Sequence, residues 1–191
     1  MTIDLAIDLA LARNSERATT MRAASKDLNP LLRLVVLTCA DHRVDPAHVF
    51  GLEPSEAIVL RNPGGRVTRD VLRSLAVLST VAAIEGLDTG FEFLVLHHTD
   101  CGLSRLAPAE HAGLVADFAG VGTDEVPHLA LTDPRASAEY DARLLSAIVS
   151  SPDSTVTGAV YDLDTGLVDV AYSTPPDDLT DVRERRVQQL P

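Results

Sequence analysis

Two short stretches of the chain hold residues whose types and spacing suit metal chemistry. Cys39-Ala40-Asp41-His42-Arg43 sets a thiol, a carboxylate and a guanidinium at alternate positions, and His98-Thr99-Asp100-Cys101 sets an imidazole and a second thiol three positions apart. Soft sulfur together with imidazole nitrogen is a zinc preference, and three protein ligands leave a fourth position for water. A metal held in this way lowers the pKa of bound water to about 7, which makes hydroxide available at neutral pH. Arg43 is a permanent bidentate donor that would fix Asp41 in one orientation. So held, Asp41 can accept a hydrogen bond from metal-bound water, or it can bind the metal itself and close the site. Cys39, His98, Cys101 and Asp41 are therefore the candidate ligands, and Asp41 and Arg43 the candidate catalytic pair.

The neighbouring residues read more plainly. A single cysteine is most often a small buried hydrophobe, but two cysteines and a histidine at the ends of apolar runs point to metal. The His-x-x-Cys spacing selects His98, and alternation turns His97 the other way, into packing. His42, His48, His111 and His128 have no companions and read as solvated or structural, with proton shuttling by His42 a minor option. Gly64-Gly65 serves as a turn or as a backbone approach to substrate. Asp177, Asp178 and Asp181 read as a solvated surface.

The elements that must position these groups follow from the apolar pattern. The runs 33–38, 57–60 and 91–96 each have the length of a buried parallel strand, and each stops at polar residues: Cys39 to Arg43, Arg61 to Gly65, and His97 to Gly102. Parallel strands put all three ends on one edge, where ligands collect in open α/β sheets. Between them, Asp45-Pro46 signals a short helix to about Phe50. Thr68, with Asp70 in the first turn, opens another helix, whose stripe is Val71, Leu75, Leu78 and Ala82 and whose end is Gly86. A helix is expected over 136–148, then strands over 155–161 and 167–172 joined through Asp164-Thr165-Gly166. Residues 103–135 are irregular, with short helices among loops. The pattern predicts an α/β fold with a mostly parallel central sheet flanked by helices and an antiparallel edge strand. The organisation expected is an N-terminal helical arm over 1–30, with one or two amphipathic helices carrying Leu5, Leu9 and Met21, a zinc-binding domain over 31–175, and a tail over 176–191.

Bulk properties narrow the function classes. A chain of 191 residues with 46% hydrophobic and 23% charged residues can bury one substantial core. A formal charge of −12 argues against a general nucleic-acid binder, which needs a basic face. No apolar run approaches the roughly 20 residues a membrane helix needs, and Asp4 and Asp8 interrupt the N-terminal apolar stretch, so neither a membrane span nor a secretory signal is expected. The chain reads as cytoplasmic, where two cysteines are thiols or metal ligands rather than a disulfide.

Cys39-Ala40-Asp41-His42-Arg43, followed by His98-Thr99-Asp100-Cys101-Gly102, resembles the paired signature of the β-class carbonic anhydrases. Arg61-Asn62-Pro63-Gly64-Gly65 is similar to that family's intervening loop, and Gly158-Ala159-Val160-Tyr161-Asp162-Leu163-Asp164-Thr165-Gly166 to its late hairpin. The likeness spans about residues 33–172. It implies a zinc enzyme that interconverts carbon dioxide and bicarbonate, with Cys39, His98 and Cys101 as ligands and Asp41 and Arg43 as the catalytic dyad. Zinc-bound hydroxide, poised by Asp41, would attack carbon dioxide, and in some members the equivalent of Asp41 becomes the fourth ligand. It also implies a homodimer or tetramer whose N-terminal helices embrace a partner subunit. Two departures stand out: Pro63 replaces the usual small residue, and the absence of Trp removes any regulatory bicarbonate pocket that depends on one. Two other readings keep the site: hydrolysis of carbonyl sulfide or carbon disulfide, and a non-catalytic, zinc-stabilised interaction module.

Overall fold

Three apolar runs with no room for turns inside them pair side by side and put their polar ends together. In a computed structural model, which describes residues 4–18, 27–87, 90–149, 151 and 153–174, the strands are β1 (Leu34–Cys39), β2 (Ala57–Asn62), β3 (Glu92–His98), β4 (Thr155–Tyr161) and β5 (Val168–Ser173). They form one sheet in the order β2-β1-β3-β4-β5. The pairs β1–β2, β1–β3 and β3–β4 are parallel, and β4–β5 is antiparallel, so the predicted edge strand is present. The register aligns Thr38 with both Arg61 and Leu96, which brings the carboxyl ends of the three first strands level. From β1 the chain goes out to β2 on one side and returns to β3 on the other. The crevice beyond the ends of β1 and β3 is thus the topological switch point, where such sheets bind ligands.

Local signals set the helices. Asp45 caps α2 (Pro46–Phe50) by accepting the Ala47 amide, and Thr68 caps α3 (Arg69–Ile84) by accepting that of Val71. The last long helix, α5 (Pro134–Ile148), starts two residues before the expected 136, because Asp133 accepts the amides of Arg135 and Ala136 and Pro134 takes the first helical position. The irregular stretch contains α4 (Ala112–Ala119) among three short 3-10 turns. Near the N-terminus α1 (Asp4–Arg17) is a single helix; Met21 and the acidic residues of the tail lie outside the described residues.

Both faces of the central strands are covered. Leu37 and Val95 pack with Val67, Val71, Val156 and, from α5, Ala142 and Leu145. Val36 and Leu96 face the other way and meet Val44 and Ala159. A third cluster, Val115, Ala116, Val126 and Leu129, ties α4 to the irregular stretch. Gly158 of β4 lets α5 come close: a Cβ there would stand 2.7 Å from the Ala138 carbonyl oxygen. The expected stripe on α3 is its inward face, with Leu75, Leu78 and Ala82 half-buried. Val71 is buried, whereas Val77, Val81 and Ile84 are exposed, as are Ile7, Leu9 and Leu11 of α1. Among the described residues no helix is long and apolar enough to cross a membrane.

Candidate metal centre

Cys39 is the last residue of β1 and His98 the last of β3, and the turn after β3 brings Cys101 back towards them. One donor atom from each of the three lies within 4.8 Å of the others. The two sulfurs are 3.8 Å apart and both cysteines are free. Two sulfurs bound at about 2.3 Å to one tetrahedral zinc would stand roughly 3.8 Å apart, so the spacing suits a shared ion. The His98 ring agrees: Nδ1 donates to the Thr99 carbonyl at 2.8 Å, which leaves Nε2 with its lone pair. That Nε2 is buried with no hydrogen-bond partner in the protein, a position whose cost a metal would relieve.

The sulfurs carry unequal charge. Cys39 is held down to about 4, first by a hydrogen bond from the Cys101 thiol and then, against the opposing effect of burial, by His98 and the amides of Asp41 and Gly64. Cys101 is pushed up because its proton is shared with that thiolate and because it is buried. A bound cation would replace that shared proton, since the thiolate is the ligand form.

Beside the donors, Asp41 is clamped by Arg43. Nε donates to Oδ1 at 3.0 Å and Nη2 to Oδ2 at 2.7 Å, while the Arg43 amide donates to Oδ1 at 2.9 Å. These bonds hold the Asp41 carboxyl well below the usual carboxylate range. Its Oδ2 lies 4.0 Å from His98 Nε2, so the carboxylate borders the donors while both its oxygens are engaged by arginine.

A family model for carbonic anhydrase matches residues 34–121. The crystal structure of a carbonic anhydrase from Streptococcus mutans superposes with a TM-score of 0.62 at 35% identity, covering 87% of this chain and 97% of that one. Beta-carbonic anhydrase 1 of Mycobacterium tuberculosis is 28% identical over 159 residues, 82% of this chain and 91% of that one. The chain belongs to the β-class carbonic anhydrase family. A carbon disulfide hydrolase from Saccharolobus solfataricus is also similar, 36% identical over 94 residues, 49% of this chain and 43% of that one.

Within this carbonic anhydrase fold, the other sequence candidates fall in three places. Gly64 and Gly65 lie at the centre: the Gly64 amide donates to Cys39 Sγ at 3.2 Å, and a Cβ on Gly65, whose φ is +67°, would come within 2.9 Å of the Thr38 backbone. Pro63 is exposed and does not line the cavity of about 140 Å³ that opens beside His98 and Cys101. His42 is 93% exposed, 3.7 Å from Asp41, and His48, His111 and His128 lie outside the donor group.

Several groups escaped the sequence reading. Arg61 threads the loop after β1, donating to the carbonyls of Cys39, Asp41 and Val44 at 3.0, 2.6 and 2.9 Å. Asp100 backs Arg43, accepting from Nη1 at 3.1 Å on its carboxylate and from Nη2 at 3.0 Å on its carbonyl. Asp100 does so at φ +50°, a strained conformation for a residue with a side chain. His97 is buried as expected, but it meets a charge: Nε2 lies 3.3 Å from Asp141 Oδ2, which also pairs with Arg66 Nε at 2.8 Å. The available signal was on α5, where Ser137 and Asp141 share a buried stripe with Ala138, Ala142 and Leu145.

Proposed function

We propose that this carbonic anhydrase family member is a zinc enzyme that reversibly hydrates carbon dioxide to bicarbonate, with Cys39, His98 and Cys101 holding the ion. The observation that carries this reading is the bidentate Asp41–Arg43 clamp beside a buried Cys-His-Cys donor set. When bound, zinc supplies Lewis acidity that brings the pKa of a ligated water to about 7. Asp41 stays ionised at all physiological pH values, so it accepts a hydrogen bond and does not donate one. Its Oδ2, the oxygen nearer the donors, would accept that hydrogen bond from the reacting water and so fix the water's lone pair toward the substrate carbon. Arg43 orients Asp41, and Asp100 steadies Arg43. A scaffold would have no need to poise a water, which speaks against the interaction-module reading. In this structure Arg43 engages both oxygens of the Asp41 carboxylate; as a fourth ligand Asp41 would have to leave that clamp.

Elemental analysis combined with stopped-flow hydration tests the proposal. Expected are about one zinc per chain and hydration activity that disappears on chelation. Cys39→Ser and His98→Ala should shed the metal, and a variant of either kind that keeps full zinc would remove that residue from the site. The similarity to carbon disulfide hydrolase supports a second reading, in which the same groups act on carbon disulfide or carbonyl sulfide. Parallel assays on the three substrates separate the readings.

The same proposal extends to context. The exposed apolar residues of α1 and of the outer half of α3 suit burial in a homodimer or a dimer of dimers, with 1–30 as an arm, 31–175 as the catalytic domain and 176–191 as a tail. Light scattering should give at least twice the chain mass. Free thiols 3.8 Å apart persist best in a reducing cytoplasm.

A further inference from the structure

A buried ion pair anchors the turn that touches the first metal donor. The Gly64 amide donates to Cys39 Sγ at 3.2 Å, and the Asp41 amide adds a longer contact at 3.4 Å. Such N–H groups draw charge from a thiolate and weaken its donation, and outer partners of this kind orient and tune metal ligands. The Pro63–Gly65 turn has little side chain of its own with which to hold that amide in place. Its ends are tied instead: the Arg66 amide donates to Asn62 Oδ1, and Asn62 Nδ2 donates to the Arg66 carbonyl, both at 2.8 Å. The Arg66 stem backs Gly64 directly, since a Cβ there would stand 3.3 Å from Arg66 Cγ and Cδ.

Arg66 itself is fixed from α5 and from the segment before it. Nε pairs with Asp141 Oδ2 at 2.8 Å, and Nη1 donates to the Leu129 carbonyl at 2.9 Å and to the Ser137 hydroxyl. Asp141 Oδ1 accepts the Val67 amide at 3.0 Å, so the next residue of the same loop is held as well. Both side chains are almost wholly buried, and apolar residues of similar volume often replace such a pair without loss of stability. Its value here lies in position. We propose that Arg66, locked by Asp141, is a positioning residue for the metal centre: it keeps the Gly64 amide on the Cys39 sulfur and so sets how strongly that sulfur donates to the ion.

The proposal rests on the zinc reading, and cobalt(II) substitution tests the two separately. The readouts are the sulfur-to-cobalt charge-transfer band and the rate of metal release to a chelator. Arg66→Met alone would strand Asp141, so the principal variant is Arg66→Met with Asp141→Leu, which removes both charges. Expected is a folded protein whose band moves to lower energy, because the sulfur donates more freely, and whose metal leaves about tenfold faster or more, because that sulfur is no longer held in place. Arg66→Lys should fall between it and the parent. Ser137→Ala, which loosens Arg66 and keeps both charges, should move the band in the same direction by less, and supplies the test should the double variant not fold. A folded double variant with the parental band and release rate, or an unmoved Ser137→Ala band where the double variant fails to fold, overturns the proposal and makes the pair structural only. A parent chain that takes up no cobalt overturns the zinc reading and this inference together.

Discussion

Two systems of paired charges flank the Cys39–His98–Cys101 donors, and they differ in the water they see. Asp41, Arg43, Asp100 and Arg105 form a chain at the surface, with the Arg43 and Asp100 side chains 38% and 61% exposed. Arg66, Asp141 and His97 form a group inside, with the Arg66 and Asp141 side chains 4% and 2% exposed. Exposed pairs gain little stability, because water screens them and two long side chains must be ordered. On the proposed function, the surface chain serves aim and the inner group hold. Hydration and unfolding should each respond most to a different set of mutations, although both sets lie beside the same three candidate donors.

The largest effect should come from the inner group. Asp141→Ala leaves Arg66 as a buried, uncompensated charge and takes the acceptor from the Val67 amide, which should cost about 3–5 kcal/mol in denaturant unfolding. A loss below about 1 kcal/mol would mean that water already reaches the pair. The contrasting change, Asp41→Ala, should leave zinc content near the parent value, lose only the modest stability of a partly exposed pair, and reduce carbon dioxide hydration about 100-fold or more. Full activity in that variant would take the dyad out of the mechanism and erase the contrast.

Acid should separate the two systems next. Arg43 holds the Asp41 carboxyl below its ordinary value. The folded state thus releases this proton more readily than the unfolded chain does, whose value is about 4. The sign follows: the clamp's share of stability is complete above about pH 4 and is lost as pH falls through the folded value. In the metal-free chain, Arg43→Met should let Asp41 titrate near its unperturbed value, visible as an upward move of its carboxyl midpoint by NMR. An unmoved midpoint would show that the neighbouring amide, and not the guanidinium, holds the charge.

The same contrast explains what could be read before any coordinates. The donors and the dyad were legible because each sits within a few residues of its partner, at the point where an apolar run stops: Cys39 with Asp41 and Arg43, His98 with Cys101. The sheet was legible from the same runs, since their length and their polar ends imply parallel strands with one functional edge. The grouping of Arg66, Asp141 and His97 was not. Alternation turned His97 into packing, but its partners lie on distant segments of the chain, and nothing in an isolated Arg or Asp says that it will be buried there. Asp100 was hidden for a related reason, because its carboxylate reaches Arg43 across the gap between two strand ends. Residues 103–135 resisted because short 3-10 turns have no periodicity long enough to see. The stripe on α3 marked the inward face, but it did not show that the apolar residues off it, Val77, Val81 and Ile84, stay exposed in this chain.

The smallest expected effect belongs to a neutral group placed between the two systems. Thr38 precedes Cys39 on β1, is fully buried, and donates from Oγ1 to the Leu96 carbonyl on β3 at 2.8 Å. Thr38→Val keeps the shape and removes one uncharged hydrogen bond, so unfolding should lose about 1 kcal/mol. Zinc affinity and hydration should stay at the parent level, because the register of β1 against β3 is already set by backbone bonds along both strands. A drop in metal affinity with only that small loss of stability would show that the hydroxyl places Cys39 opposite His98. The division between aim and hold would then extend into the strands themselves.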